Sequence, residues 1–249
     1  MVQPYGAGPY YDLLIPHRPE RAAFIARRLC RCHRLLDVGA GNGEIAFALA
    51  KRGHEVACLE PSRAMFAMLL GRLPALGKAA GRITPICVGV EARLRFRVDA
   101  AYCCSVFHLV PGDAGRRRLL RAILRHLPAD ALLIFDYIGA PAPRSHGPRL
   151  RARGRFGGVE YRHWSATRRL RADCHMIDWL VEGRAGRVVV DRYKESFRVR
   201  SDPPEYWQAL VRRSGGEVME VYDGYPVRGQ RPGLGQNRRQ VIVARKLAR

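Results

Sequence analysis

The sequence predicts a doubly wound α/β fold with a mostly parallel seven-stranded sheet and a small antiparallel β insertion after the fifth strand. Within residues 1–138, short apolar segments alternate with segments of helical periodicity, as in folds built from βαβ units. A glycine-rich turn at residues 39–43 joins the first predicted strand to its helix, and Glu60 ends the second strand. Ligands of such sheets bind at the carboxyl ends of the strands, where both features fall.

The predicted elements of this first part follow one another with short connections. A helix over residues 20–32 starts after Pro19, which suits the first turn of a helix. Ser62 is the predicted N-cap of a later helix. In chain order, the strands are predicted at 34–38, 55–60, 83–90, 100–107 and 131–137. The helices between them are predicted at 44–52, 62–73 and 114–127.

The pattern changes after residue 138. Residues 139–154 are rich in Pro, Arg and Gly and are predicted to form a loop. The strands of the antiparallel insertion are predicted at 158–166, 174–181 and 188–200. A helix and two strands then complete the core sheet, at 205–214, 217–222 and 240–245, with a long loop over 224–238. We interpret the chain as a core with an N-terminal lid (1–138), an insertion (139–201) and a closing segment (202–249).

The chain is strongly basic, with a formal net charge of +22, and nearly all of its basic residues are Arg. A basic surface suits phosphorylated substrates, acidic carriers or nucleic acid. Arg residues spread along a chain rich in Ala and Gly are also what GC-rich coding produces. The charge therefore leaves one expectation, a small-molecule acceptor that is negatively charged.

Composition also favours a cytoplasmic protein without a membrane segment. No basic-then-apolar leader follows Met1, and no apolar run approaches the roughly 18 residues of a membrane span. Cys30, Cys32 and His33 are close together, but no second pair stands at zinc-finger spacing. The seven cysteines therefore predict unpaired thiols in a reducing compartment and no metal site. Adjacent Cys103 and Cys104 are expected to point to opposite faces of a strand.

The glycine-rich turn reads Leu35-Leu-Asp-Val-Gly-Ala-Gly-Asn-Gly43. Glycines there let the backbone approach a ligand and adopt dihedral angles that a Cβ forbids. A dinucleotide fingerprint would need glycine where Glu44 stands. Glu60 can accept hydrogen bonds from both hydroxyls of a ribose, and the alternative for this residue is helix capping.

Together with Glu60-Pro61-Ser62, Val98-Asp99-Ala100 and residues 127–134, this turn resembles the successive motifs of class I S-adenosylmethionine (SAM)-dependent methyltransferases. The resemblance covers residues 10–140 and the helix-to-strand step at 210–217. It implies SAM as the cofactor, with the glycines around the methionine and ribose and Glu60 on the ribose. The cofactor-binding residues that it implies are Tyr10, Arg18, Asp37, Gly39, Ala40, Gly41, Gly43, Glu60, Pro61, Ser62, Val90, Glu91 and Cys104.

The sequence departs from the family pattern after the third strand. Many members carry an acid directly after the glycine of that turn, where it binds the adenine amino group. Here Val90 follows Gly89 and Glu91 comes one position late, so either Glu91 or backbone groups are expected to make that contact. In enzymes similar to glycine N-methyltransferase, an Arg placed like Arg18 pairs with the cofactor carboxylate, a role that suits a bidentate guanidinium. The alternative is a solvated Arg at a helix start.

Methyl transfer from a sulfonium is an in-line displacement, so an enzyme mainly aligns the reacting atoms and removes a proton from the acceptor. The segment Cys103–Leu109 resembles the Phe-Ser-Ser-x-Gly-His stretch of bacterial amino-sugar N-methyltransferases, which makes His108 a candidate base. In many other relatives this His has a packing role. Tyr10–Asp12 resembles the Tyr-Asp start that folds over the cofactor, and Tyr11 is the second candidate catalytic residue, with aromatic packing as the alternative.

The favoured hypothesis is a methyltransferase that acts on N or O of a small molecule, such as an amino sugar or another specialised metabolite. No Asn/Asp-Pro-Pro-Tyr/Phe segment follows the fourth strand, which argues against the common nucleic-acid and protein amino-methylating classes. The insertion is interpreted as an acceptor lid or as the contact of a homodimer. The alternatives are an RNA methyltransferase, which the basic charge permits, and a catalytically silent SAM-fold binding subunit.

Overall fold

The computed structural model describes residues 10–12, 17–92, 94, 96–226 and 239–248. The helices are α1 Pro19–Arg28, α2 Glu44–Ala50, α3 Arg63–Arg72, α4 Gly112–His126 and α5 Pro204–Arg213. The strands are β1 Arg34–Val38, β2 Glu55–Leu59, β3 Ile83–Ile86, β4 Ala100–Cys103, β5 Leu132–Ile138, β6 His146–Phe156, β7 Val159–Arg171, β8 Cys174–Ala185, β9 Val188–Arg200, β10 Gly216–Asp223 and β11 Arg239–Lys246. Two 3-10 segments span Leu73–Arg82 and Phe107–Leu109. None of the helices in these ranges is long and apolar enough to cross a membrane.

The main sheet has seven strands in the order β10-β11-β5-β4-β1-β2-β3. Strand β1 lies inside the sheet and pairs in parallel with β2 and β4, whereas β11 runs antiparallel to both β5 and β10. The predicted doubly wound, mostly parallel fold is therefore confirmed. Because β1, β2 and β4 are parallel, the residues that follow them meet at one edge of the sheet, which we call the carboxyl edge.

A separate antiparallel sheet, in the order β6-β7-β8-β9, is inserted between β5 and α5. The prediction of a loop over residues 139–154 was wrong, because most of that segment belongs to β6. This strand lies at an edge of the sheet and most of its side chains are exposed. Natural edge strands are often charged, and the arginines of β6 hide the apolar alternation by which a strand is recognised.

Two of the core strands end earlier than predicted. Strand β3 ends at Ile86, so Val90 lies beyond it, and β4 ends at Cys103. Ser105 has a left-handed backbone (φ +61), which turns the chain out of the strand before the 3-10 segment begins. Cys103 and Cys104 belong to the clusters on opposite sides of the sheet, as predicted.

Apolar side chains fill both sides of the main sheet. Leu35 and Leu36, adjacent in β1, are fully buried in different clusters, which is why parallel strands read as continuous apolar runs. On the side of α4 and α5, Phe107 packs against Phe135 at 4.8 Å and Trp207 at 5.2 Å between ring centroids. These contacts anchor the 3-10 segment that carries His108.

A buried ion pair joins α4 to the segment where the insertion returns to the core. The Arg116 guanidinium pairs with Asp202, and both side chains are almost completely buried. It also lies 5.2 Å from the ring centroid of Trp207, and Arg200 is a second partner of Asp202 at 2.8 Å. Removing one partner of such a pair leaves the other charge desolvated.

We therefore expect Arg116→Met to lower the free energy of unfolding by about 3 kcal/mol, because Arg200 compensates Asp202 only in part. The matched control is Arg117→Met, which removes a neighbouring cation that lines a surface groove. That control should change stability by no more than about 0.5 kcal/mol. Urea unfolding of the three proteins makes the comparison, and equal midpoints would contradict a structural role for the pair.

Candidate active site

The glycine-rich turn after β1 has a conformation that other residues rarely adopt. Gly39, Gly41 and Gly43 have positive φ angles of 75°, 59° and 81°. A Cβ on Gly39 would lie 2.5 Å from Cγ2 of Val106, so only glycine fits against the segment that follows β4. The backbone N–H groups of Gly39 and Ala40 donate to the carbonyl of Leu59 at 2.8 and 3.1 Å, which ties the turn to the end of β2.

Glu60 is bound directly to this turn. Its Oε2 accepts a hydrogen bond from the N–H of Gly41 at 2.8 Å, and its Oε1 accepts one from the N–H of Ser62 at 2.7 Å. Ser62 in turn caps α3, where its Oγ accepts from the N–H of Met65 at 3.3 Å. Burial raises the pKa of Glu60, while the two N–H donors oppose that shift. The oxygens of Glu60 keep lone pairs that can accept ribose hydroxyls.

Asp37 lies beneath the turn, one residue before the end of β1, and is buried. Burial raises the pKa of Asp37 to about 8, with a further increase from the charge of Glu60 and a decrease from the Tyr102 hydroxyl. This carboxyl therefore holds its proton in much of the population at neutral pH. A cation placed beside it would stabilise the ionised form.

Residues 10–12 form a helical turn that connects the insertion to the glycine-rich turn. The Tyr10 hydroxyl donates to Asp191 of β9 at 2.7 Å, and its ring lies 5.4 Å from that of Tyr193. At the other end of the turn, Asp12 accepts a hydrogen bond from the Asn42 side chain. Tyr10 is thus directed toward the insertion, although the sequence placed it among the cofactor-binding residues.

A cluster of charged and polar side chains, which we call the arginine cluster, lies at the carboxyl edge beside β4 and β5. Asp136 is its buried centre and accepts hydrogen bonds from the Ser105 N–H at 2.7 Å, Arg239 at 2.6 Å and the Tyr225 hydroxyl at 2.7 Å. Burial is the largest single influence and opposes ionisation, but the charges of Arg239 and Arg21 and the hydrogen bond from Tyr225 together outweigh it and lower the pKa of Asp136. The other members are Arg18, Arg21, Arg239, Ser105 and Tyr225.

Arg18 is the member of the arginine cluster whose backbone is bound to the residue after the glycine-rich turn. Its backbone N–H donates to Oε1 of Glu44, the residue after Gly43, at 2.7 Å. Burial and the guanidinium groups of Arg21 and Arg239 lower the pKa of Arg18. Tyr11 is near the same charges, and burial raises the pKa of its hydroxyl. The structure thus brings Arg18 and Tyr11 together with the residues that follow β4.

His108 faces the arginine cluster from the 3-10 segment. Its Nδ1 is buried and has no hydrogen-bond partner among the described residues. Burial and the positive charge of Arg239 lower the pKa of His108 to about 3, with Arg21 and Arg116 adding to the shift and Asp136 opposing it. The imidazole is therefore neutral at pH 7 and has a free lone pair for a proton or a hydrogen bond.

The remaining predicted cofactor-binding residues lie in different surroundings, and not all of them are near the glycine-rich turn. Cys104 is buried, its Sγ lies 3.1 Å from the hydroxyl oxygen of Tyr225, and burial raises the pKa of its thiol. Pro61 is exposed beside Glu60. The Val90 side chain is buried in the core, and Glu91 lines a surface groove with residues of α4, so neither side chain is brought to the glycine-rich turn. Among the described residues, no three side chains of His, Cys, Asp or Glu form a metal-binding group.

Sequence reasoning missed several members of the site. Asp136 had a usable signal, because a carboxylate inside the apolar strand Leu132–Ile138 must find buried partners. Arg21, Tyr225 and Arg239 had none, because they come from segments far apart in the chain. Asn42 stands in the motif itself but was not predicted to have a role, and its side chain binds Asp12.

A basic groove of about 1170 Å³ lies elsewhere. It follows α4 and reaches Lys246, which pairs with Gly216 at the opposite edge of the sheet from the glycine-rich turn. Its basic lining residues are Arg117, Arg118, Arg121, Arg125, Arg212, Arg213 and Lys246. The groove therefore does not form part of the candidate site.

The environment of His108 gives a prediction. Arg239→Gln should raise the pKa of His108 above about 3, because a positive charge that opposes protonation is lost and Asp136 is less compensated. NMR titration of the imidazole resonances measures this, with Arg117→Gln as a control that should leave the value unchanged. An unchanged His108 titration in Arg239→Gln would contradict the proximity of these charges.

In the wild type, the free energy of unfolding should fall as the pH drops from about 6.5 toward 3, because the unfolded chain binds a proton that the folded site does not.

Comparison with known proteins agrees with this geometry. Residues 36–133 match the sequence profile of a family described as a methyltransferase domain. A curated protein of Geobacillus sp. (strain WCH70), named as a methyltransferase, is 29% identical over 134 residues, which are 51% of this chain and 54% of that protein. The chain thus spans about half the length of the curated relative that it matches.

Solved structures are similar over nearly the whole chain. A SAM-dependent methyltransferase from Clostridium acetobutylicum has a TM-score of 0.75 at 14% identity, with 96% of each chain covered. The sugar N-methyltransferase KedS8 from Streptoalloteichus sp. has a TM-score of 0.72 at 22% identity, covering 91% of this chain and 85% of that one. CalS10, an amino pentose methyltransferase from Micromonospora echinaspora, has a TM-score of 0.67 at 22% identity, covering 91% and 90%.

At these identities the solved structures establish a shared fold. The sequence match adds a methyltransferase domain over residues 36–133, which include the glycine-rich turn and Glu60. Residues 36–133 thus match a methyltransferase domain, and the chain has the fold of solved SAM-dependent methyltransferases.

Proposed function

We propose that the chain transfers a methyl group from SAM to a nitrogen or oxygen atom of a small-molecule acceptor. The observation that carries the proposal is the hydrogen-bonded unit of Gly41, Glu60 and Ser62 at the carboxyl edge. Gly39 and Gly41 would hold the methionine part of SAM, and Glu60 would hold the ribose. When bound, SAM supplies an electrophilic methyl group on a positively charged sulfur.

The acceptor is expected beside His108. Val106 packs against Gly39, so the segment that carries His108 adjoins the turn that would hold the methionine. A neutral imidazole can accept a proton or a hydrogen bond from the amine or hydroxyl that attacks the methyl group. Tyr11, which is near Arg18 and Arg21, would orient the acceptor. The main task of the site is alignment, because the leaving group of a sulfonium is already good.

The insertion would cover the acceptor. One face of this sheet carries aromatic side chains, and Trp179 packs edge-on against His163 at 4.7 Å and Phe197 at 5.0 Å. The hydrogen bond from Tyr10 to Asp191 links the same sheet to the turn that reaches Asn42. Exposed apolar residues of this sheet suit the alternative role as a homodimer contact: Leu150, Phe156, Val188 and Val190.

The class of acceptor is proposed from the similar structures. KedS8 is named a sugar N-methyltransferase and CalS10 an amino pentose methyltransferase of calicheamicin biosynthesis. Their likeness supports an amino sugar or another specialised metabolite as the acceptor here. Incubation with methyl-labelled SAM and a panel of amino sugars and related amines and alcohols, followed by mass spectrometry, tests this directly.

The basic groove gives the RNA methyltransferase alternative one supporting observation. RNA binding measured at graded salt discriminates between the two, since a protein that contacts many phosphates loses affinity steeply as salt rises. If methyl-labelled SAM labels RNA and no small molecule, an RNA methyltransferase replaces the proposal. Cofactor binding without methylation of any acceptor would favour a silent binding subunit.

Replacement of a single glycine should abolish cofactor binding. Gly41→Arg adds a long side chain where even a Cβ would lie 3.3 Å from Met65, and it fills the space assigned to the methionine. Gly157→Arg is the matched control, because Gly157 has a similar φ of 57° and nothing within 4 Å of its Cβ position. Calorimetry with S-adenosylhomocysteine (SAH), the demethylated product, should show binding only by the wild type and the control. Unchanged affinity of Gly41→Arg would refute this placement of the cofactor.

The role of His108 gives a kinetic prediction. His108→Ala should lower turnover by about 10²-fold or more if the imidazole accepts the acceptor proton, while SAH affinity stays within about twofold. His146→Ala, which removes a histidine from the edge strand β6, should keep both properties. Rates measured with the acceptor found above decide the question, and a variant as fast as the wild type at every pH would reduce His108 to packing.

A further inference from the structure

Arg21 is buried, but its hydrogen bonding is incomplete. The side chain projects from α1, and the residue is only 7% exposed. Its Nη1 donates to the Ser105 hydroxyl at 2.9 Å. Its Nε and Nη2 are buried and have no hydrogen-bond partner among the described residues. Burying the donors of a charged group costs free energy unless a hydrogen-bond acceptor is present. This part of the site is therefore complete only when a ligand supplies that hydrogen-bond acceptor.

The two donors define the shape of the missing partner. Nε and Nη2 lie on the same edge of a guanidinium, and this edge matches a group with two oxygens. The protein contains an example, because Arg168 donates from Nε and Nη2 to the two oxygens of Asp178 at 2.9 and 3.3 Å. The edge of Arg21 is therefore suited to a carboxylate or a phosphate.

The surrounding charge favours an anion at the same place. Three guanidinium groups, those of Arg18, Arg21 and Arg239, lie close enough to interact. The charges of Arg21 and Arg239 lower the pKa of Arg18, and the same two charges lower the pKa of Asp136. Within the described part of the chain, Asp136 is the carboxylate at the centre of this cluster. Its oxygens already accept hydrogen bonds from Ser105, Arg239 and Tyr225. Positive charge therefore exceeds negative charge beside His108.

The position of Arg21 separates it from the methionine end of the cofactor. Arg18 is tied to Glu44 at the end of the glycine-rich turn, whereas Arg21 reaches Ser105 after β4 and lies 5.6 Å from the ring centroid of Tyr225. Arg18 therefore remains the candidate for the cofactor carboxylate, and Arg21 lies on the side of His108.

We propose that the Nε–Nη2 edge of Arg21 binds a carboxylate or phosphate group of the methyl acceptor. This inference rests on the proposed function and adds that the acceptor is anionic near its reacting atom. An anion there would offset the charge of Arg21, which now disfavours protonation of His108. The imidazole would become a better proton acceptor when the acceptor is bound.

Two ligands, SAH and inorganic phosphate, test the assignment. SAH affinity is measured by calorimetry for the wild type, Arg21→Gln and Arg18→Gln. Phosphate, and acetate in a parallel series, is then added to each SAH complex while the His108 imidazole resonances are followed by NMR. The control variant is Arg117→Gln, because phosphate also binds exposed arginines and Arg117 lies in the basic groove.

We expect Arg21→Gln to keep its SAH affinity within about twofold and to lose about tenfold or more of the phosphate affinity read at His108. Arg18→Gln should weaken SAH, and Arg117→Gln should behave as the wild type. If Arg21→Gln does not fold, Arg21→Lys is the substitute, because it keeps the charge without the bidentate edge. It should still lose phosphate affinity, but by less than the roughly tenfold loss expected of Arg21→Gln.

Three outcomes overturn the assignment. The first is that phosphate leaves the His108 resonances of the wild type unperturbed. The second is that phosphate perturbs these resonances equally in the wild type and in Arg21→Gln. A loss of SAH affinity in Arg21→Gln equal to that in Arg18→Gln would assign this edge to the cofactor carboxylate instead. A wild type that binds no SAH at all is a different result, because it refutes the proposed function itself.

Discussion

The hydrogen bonds that tie the glycine-rich turn to Leu59 and Glu60 are the constraint on which the rest of the site depends. The parallel register that places Val38 opposite Leu59 brings the ends of β1 and β2 side by side. From there the N–H of Gly41 reaches Glu60, and it does so only because the backbone of the turn is left-handed. Val106 fits against Gly39 because that residue has no Cβ, and this contact together with the packing of Phe107 positions the segment that carries His108.

The charges of the site are divided between its two sides. Asp37 and Glu60 lie under and beside the turn, and burial raises the pKa of both. The arginine cluster lies beyond β4, where positive charge is in excess. A cofactor with cationic sulfur and amine groups suits the acidic side, and an anionic acceptor suits the basic side. Under the proposed function, this division would orient the two reactants toward each other before any chemistry takes place.

The sequence was sufficient to predict features whose signal is local. The glycines at 39–43, Glu60 and the cap at Ser62 lie within two short segments, and their residue types report directly on backbone conformation and hydrogen bonding. The same holds for the parallel strands, whose apolar runs are continuous because both faces are buried. The edge strand β6 was missed because its arginines mask the alternation that a strand needs for recognition.

Features assembled from distant segments could not be predicted in this way. The arginine cluster joins Arg21 of α1, Asp136 of β5 and Arg239 of β11, and only the strand order brings them together. Likewise, Glu91 was expected near adenine from its distance to Gly89, but the chain beyond β3 carries it to the groove beside α4. Spacing along the sequence predicts where a residue lies only while the chain continues in the same helix or strand.

The most direct test of the account is a calorimetric titration of the unmodified protein with SAH, alongside nicotinamide and flavin dinucleotides. The account predicts saturable one-to-one binding of SAH and no binding of either dinucleotide. Uptake of a dinucleotide with no heat from SAH or SAM would contradict it, because the glycine-rich turn and Glu60 would then hold a different ligand.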